Sequence, residues 1–116
     1  MKVAILGASL KPDRHSHRAQ KLLMEKGHEV IPVSPRGDDI LGITGAKEVP
    51  PGVDTVTLYL SPKRFLPILD QLISASPRRV IFNPGTESTE AVQRLTEAGI
   101  ETEDACTLVL LTTGNF

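Results

Sequence analysis

The sequence predicts an α/β/α sandwich, a mainly parallel five-stranded sheet with helices on both faces, and three observations predict it. Short aliphatic runs recur along the chain without the in-and-out alternation of a half-exposed strand, as in parallel strands that are covered on both sides. Each run breaks at or near Gly, Ser, Pro or Asn. Between the runs, apolar residues return at helical spacing, so strands alternate with helices of about three turns, the pattern of right-handed βαβ crossovers.

The first strand lies in Lys2-Val3-Ala4-Ile5-Leu6 and breaks at Gly7. A polar, cationic stretch from Leu10 to Arg18 leads into Ala19, Leu22 and Leu23, and Gly27 closes that helix. Strand, glycine turn and helix together place unpaired backbone N–H groups and the positive end of a helix dipole beside the strand's carboxyl end, which suits an anionic ligand. His28 to Pro35 reads as the second strand, with Pro32 where no ladder bond is required. Arg36 to Pro51 contains five Gly or Pro residues and reads as an irregular connection anchored by Leu41, Ile43 and Val49, with room for a short helical turn. It is expected to cover one side of a cleft.

Asp54 to Leu60 is the third strand, and it stops at Ser61-Pro62, an N-cap followed by proline at the first helical position. Phe65, Ile68, Leu69, Leu72 and Ile73 give the next helix an apolar stripe that runs to Ser76-Pro77. The fourth strand, Arg79 to Phe82, ends in the turn Asn83-Pro84-Gly85. Thr86 or Ser88 can cap the following helix, Glu87 and Glu90 favour its dipole, Ala91, Val92, Leu95 and Ala98 form its buried face, and Gly99 stops it. Ile100 to Thr102 reads as a short edge strand. The tail from Asp104 to Thr113, apolar at Leu108 to Leu111, fits a last helix or an extended segment equally well.

Composition narrows the function classes. The 116 residues are expected to form one domain, and a formal charge of −1 provides no global basic field for nucleic acid. The single cysteine cannot form an internal disulfide. The start of the chain lacks the regions of a signal peptide, and no apolar stretch nears the roughly 20 residues that span a bilayer. The expectation is a cytoplasmic protein without a membrane partner, with homo-oligomer formation left open.

A sheet of this kind is Rossmann-like, and such sheets bind ligands beyond the carboxyl ends of their strands, where strand order reverses. Four turns converge there: Gly7-Ala8-Ser9, Val33-Ser34-Pro35, Leu60-Ser61-Pro62 and Asn83-Pro84-Gly85. Turns need such residues for their own geometry, but four together point to a site. The first lacks the Gly-x-Gly-x-x-Gly of a dinucleotide fold, no acidic residue directly follows the second strand, and no Walker sequence occurs. In their place stand Ser9, Lys11, Arg14, Ser16 and Arg18 around a helix start, with Arg36 after the second strand. Hydroxyls and guanidinium groups bind phosphate oxygens through charge-assisted bonds, although each cation alone is also an ordinary solvated residue.

The run from Val3 to Arg14, with Ser16 and Arg18, then Val30 to Pro35, then Leu41-Gly42 and the valine-bearing third strand before Ser61-Pro62, resembles the small bacterial CoA-binding proteins. These in turn resemble the CoA-binding domain of the succinyl-CoA synthetase alpha subunit, and the likeness covers nearly the whole chain. It implies that the Gly7-Ala8 turn, Ser9, Leu10 and Lys11 and the helix start at Arg14, Ser16 and Arg18 hold the phosphates of coenzyme A. It further implies that Val33, Ser34, Pro35 and Arg36 border the adenosine part, and that Ser61, Lys63, Phe82, Asn83, Pro84 and Gly85 follow the pantetheine arm. The related proteins also carry a cysteine at the place of Cys106.

The synthetase passes phosphate through a histidine on a separate domain, for which the three histidines here offer no replacement. His15 and His17 would diverge on a helix and make no metal pair, and no Ser-His-Asp order or Gly-x-Ser-x-Gly elbow indicates a hydrolase. A non-catalytic binder of CoA or acyl-CoA is the economical reading. An NAD(P)-dependent enzyme, with Tyr59, Lys63 and Cys106 as its available reactive groups, and a ligand-free interaction module are the alternatives.

Overall fold

The computed structural model describes residues 1–116. Its strands are β1 (Lys2–Leu6), β2 (Glu29–Val33), β3 (Thr55–Leu58), β4 (Arg79–Phe82) and β5 (Glu101–Asp104), all parallel, in the spatial order β2-β1-β3-β4-β5. The chain moves outward from β1 to β2 and then crosses to the other side of β1, so strand order reverses between β1 and β3. The helices are α1 (His15–Glu25), α2 (Pro62–Phe65), α3 (Leu69–Ala75), α4 (Thr89–Glu97) and α5 (Thr107–Thr112). No helix is long and apolar enough to cross a membrane.

The aliphatic strands form because both faces of the sheet are covered. On one face Val3, Ile5 and Val30 pack with Leu23 of α1 and Leu111 of α5. On the other, Ala4, Leu6, Val56, Leu58, Val80 and Phe82 pack with Phe65 of α2, Leu69 and Leu72 of α3, and Ala91 and Leu95 of α4. Phe65 and Phe82 meet edge to face at 6.0 Å, a geometry that adds to their area burial. Truncating any one of these fully buried leucines to alanine costs about 2–5 kcal/mol.

Several element boundaries differ from the sequence reading, each for a physical reason. The helix read from Ser61 to Ser76 is broken into α2, a 3-10 turn at Leu66–Ile68, and α3. Pro67 lies inside it, has no N–H to donate, and crowds the preceding turn. The break turns Ile68 off the stripe, to 39% exposure, while Phe65, Leu69 and Leu72 stay buried. The edge strand β5 begins one residue later than read and extends to Asp104, with Ile100 buried just before it. The tail is helical as α5, and Ser88 rather than Thr86 caps α4, its hydroxyl accepting from the Ala91 N–H at 3.2 Å.

The connection Arg36 to Pro51 has no helical turn. Ala46 forms a parallel bridge to Val33, its N–H donating to the Pro32 carbonyl at 2.9 Å and its carbonyl accepting from Ser34 N–H at 3.0 Å. Ile40 and Ile43 exchange backbone hydrogen bonds across Leu41-Gly42, both at positive φ. Gly45 is required here because a Cβ would stand 2.0 Å from the Asp38 carbonyl oxygen. The fully buried Gln20 of α1 donates to the Ile40 carbonyl at 3.0 Å and ties this strap to the helix.

At the amino ends of the strands, Arg78 bridges Asp54 at 2.9 Å and Glu101 at 3.1 Å. The Arg78 hydrogen bonds, aided by the Thr55 hydroxyl, hold the Asp54 carboxyl well below its ordinary range, at about 2.

Candidate functional site

A cleft of about 910 Å³ runs along the carboxyl ends of β2, β1, β3 and β4, at the reversal of strand order where open α/β sheets bind ligands. Its floor is the turn after β1. Gly7 adopts φ +99°, and a Cβ there would stand 3.1 Å from both the Leu60 side chain and the Tyr59 carbonyl carbon. Only glycine fits both the conformation and the space. The N–H groups of Gly7 and Ala8 donate to the Val33 carbonyl at 2.9 and 3.1 Å, which fixes the first turn against the end of β2.

The N-terminus of α1 opens into this cleft through Arg14, His15 and Ser16. Arg14, the N-cap, is extended, no side chain caps the helix, and its first turn contains no acidic residue. The leading N–H groups of a helix need partners from outside it, and the dipole favours a negative one. The Ser9 hydroxyl accepts the Lys11 N–H at 3.1 Å, which curls the turn toward the helix start and leaves its own proton free to donate.

The charge of the cleft is organised. Lys11, Arg14, Arg36 and Arg64 line it, and none of them has a carboxylate partner within 4.0 Å. Arg78, Arg79 and Arg94, which lie outside the cleft, are all ion-paired. Asp13 and Asp38 also line it, so the connection from β2 to β3 does place a carboxylate there, from the loop rather than from the strand's end. The Ser34 hydroxyl oxygen is buried at the wall without a hydrogen-bond partner, a deficit that a bound polar ligand would remove.

Tyr59 provides a flat wall beside Gly7. Burial pushes its phenol up to about 12, with the nearby Thr57 and Thr107 hydroxyls opposing that shift. Those hydroxyls bond to each other at 2.7 Å, and the Tyr59 oxygen has no partner of its own. At neutral pH it is a phenol, not a base.

Of the residues named from the sequence, the cleft brings together Gly7, Ala8, Ser9, Leu10, Lys11, Arg14, Ser16, Ser34, Pro35, Arg36 and Pro84. Arg18, Val33, Ser61, Lys63, Phe82, Asn83 and Gly85 do not line it. Arg18 and Lys63 are exposed outside it, while Val33 and Phe82 are core side chains. Asn83 is buried and internally engaged, its Nδ2 donating to Thr57 Oγ1 at 2.8 Å and to the Leu58 carbonyl at 2.9 Å. Its Oδ1 accepts the Thr107 N–H at 2.8 Å, so it clamps β3 and β4 to the start of α5. Cys106 is half-buried next to that clamp, outside the cleft. The sequence reading did not include Asp13, His15, Asp38, Tyr59, Leu60 and Arg64 among the binding residues, and all six line the cleft.

A doubly wound parallel sheet with a cation-lined cleft at its switch point defines a Rossmann-like domain. Residues 1–112 match the CoA binding domain family, and the chain belongs to it. Among its relatives is the uncharacterised protein YneT of Bacillus subtilis, 29% identical over 101 residues, which are 84% of this chain and 75% of YneT. A crystal structure of an uncharacterised protein is 45% identical, with a TM-score of 0.93 over 99% of this chain and 97% of its own. The dinucleotide-forming acetyl-coenzyme A synthetase 1 of Ca. Korarchaeum cryptofilum, in its apo form, shares the fold at 21% identity and a TM-score of 0.75. That match covers 87% of this chain and 25% of the synthetase.

Proposed function

We propose that residues 1–116 form a single CoA-binding domain that holds CoA or an acyl-CoA without transforming it. Family membership supports coenzyme A as the ligand. The observation that carries the reading further is the set of unpaired cations around an uncapped helix N-terminus. A pyrophosphate would meet the first N–H groups of α1, Ser9, Lys11 and Arg14, where helix dipole, hydroxyl and guanidinium act on one group. The adenosine part would lie toward Ser34, Pro35 and Arg36, and the pantetheine arm toward the ends of β3 and β4. Ser61, Lys63, Phe82, Asn83 and Gly85 would border that arm from behind the lining, and Arg18 would add only long-range charge.

The second reading, an NAD(P) site, gains one observation in Asp38, a carboxylate in the cleft that could accept from ribose hydroxyls. Against it stands the first turn, which has one glycine where a dinucleotide pyrophosphate needs close backbone approach at a second. Thermal denaturation distinguishes the two, since a ligand raises the melting temperature only through binding to the folded state. CoA is expected to raise it, and NAD or NADP at the same concentration is not. A shift with NAD or NADP equal to that with CoA would overturn the assignment.

A further inference from the structure

We infer that Gln20 is a positioning residue for the cleft, and that its buried amide sets the distance between the two walls that the ligand touches at once; this rests on the CoA reading above. One wall is the start of α1, where Arg14, His15 and Ser16 line the cleft. The other is the strap after β2, which contributes Pro35, Arg36 and Asp38. Gln20 lies one turn beyond Ser16 on the same buried face of α1, about 6 Å along the axis. Its partner Ile40 lies two residues beyond Asp38. The Gln20–Ile40 bond therefore joins the two walls close behind the site.

No other hydrogen bond fixes the strap in that direction. Its base is pinned to the sheet by the bridge between Val33 and Ala46. From Asp38 to Gly45 the strap closes on itself, through the Ile40–Ile43 pair and through the Gly45 N–H, which donates to Asp39 Oδ1 at 3.0 Å. The Gln20 bond alone leaves that segment for another element. The Ile40 side chain is buried, but apolar contact is non-directional. Leu41 at the tip stands at φ 53°, a strained conformation for an L-residue that persists only where its surroundings impose it.

Net stability is not what the amide supplies. Gln20 Oε1 is buried without a partner, which offsets the bond made by Nε2. The Ile40 carbonyl also accepts the Ile43 N–H at 3.0 Å, so it keeps a partner when the amide is lost. Methionine, of similar length and helix propensity, removes one orphaned oxygen, creates none, and leaves the strap without its tie.

Calorimetric titration of the wild type and of Gln20→Met with CoA and with 4′-phosphopantetheine, together with amide hydrogen exchange on both proteins, tests this. Without ligand the variant is expected to keep at least the wild-type melting temperature. Its amides between Asp38 and Gly45 are expected to exchange faster while those of the sheet do not, and saturating CoA is expected to slow them again. CoA affinity is expected to fall about tenfold, the loss that results when the strap holds its binding position in about one molecule in ten. 4′-Phosphopantetheine lacks the nucleotide that reaches the strap and is expected to show no difference between the two proteins. An unchanged CoA affinity, a lowered melting temperature, or an equal loss for 4′-phosphopantetheine would overturn the inference and leave the CoA reading standing. Failure of the wild type to bind CoA would overturn both.

Discussion

Replacement of Asn83 by alanine is expected to destabilise the fold by about 2–4 kcal/mol, although a turn residue beside a ligand cleft would ordinarily tolerate change. The wild-type amide makes three buried hydrogen bonds, to Thr57 Oγ1, the Leu58 carbonyl and the Thr107 N–H. Alanine leaves the Thr107 N–H without its acceptor inside the protein, and an orphaned buried group costs about 1–3 kcal/mol by itself. With an unfolding entropy near 2.1 cal/mol/K per residue, the expected fall in melting temperature is about 8–16 °C. Urea denaturation at pH 7, with the slope unchanged, gives the loss directly. A loss below about 1 kcal/mol would refute the clamp. Should the alanine variant not fold, Asn83→Asp provides a second reading. Its carboxylate still accepts from Thr107 but cannot donate to Leu58, so its folded pKa rises above the unfolded value of about 3.9. The penalty is then present above the folded pKa and lifts as pH falls through it, and Asn83→Asp is expected to approach wild-type stability on acidification.

Two further outcomes follow from the same geometry. Gly7→Ala is expected to lose about 1–3 kcal/mol in urea denaturation, because an L-residue is strained at φ +99°; wild-type stability would show that the turn can rearrange. Asp54→Asn addresses pH: the folded pKa of Asp54 is depressed from 3.8 to about 2, so its contribution is fully present above about pH 4 and is lost as pH falls toward 2. The denaturation midpoints of wild type and Asp54→Asn are expected to differ at pH 5 and to converge near pH 2, and a difference constant across that interval would exclude the Arg78 pair as its source.

The parallel strands were legible because their burial on both faces writes an aliphatic run into the chain, and Arg79–Phe82 is a strand at the bounds the sequence indicates. β5 was harder to place. Three of its four residues, Glu101, Glu103 and Asp104, have poor strand propensity, and the ladder with β4 holds them in place. Pro67 was a visible signal against one continuous helix, outweighed in the reading by the apolar stripe around it. At the site, the end of β1 and the start of α1 could be read from glycine and charge. Tyr59 and Leu60 were read as the last residues of a strand, whereas β3 stops at Leu58 and releases both to the cleft wall. Asp38 and Arg64 could not be read at all, since a loop path and the direction of a short helix decide where they point. Asn83 shows the converse: a turn residue by sequence, it is committed to the interior by partners 25 and 26 residues earlier in the chain and 24 later.

The two margins of the sheet differ in what they offer another molecule. Beside β2 the margin is occupied at Val33 by the protein's own strap through Ala46, so an incoming strand meets backbone groups that are already satisfied there. Beside β5 the margin is open, but Glu101 and Asp104 are exposed on it and Glu103 is half-exposed between them. Glu101 and Glu103 are paired with Arg78 and Arg79 at the start of β4, and Asp104 has no cationic partner, so two copies that approached edge to edge would have to bury charged side chains along the margin, which discourages continuous sheets between molecules.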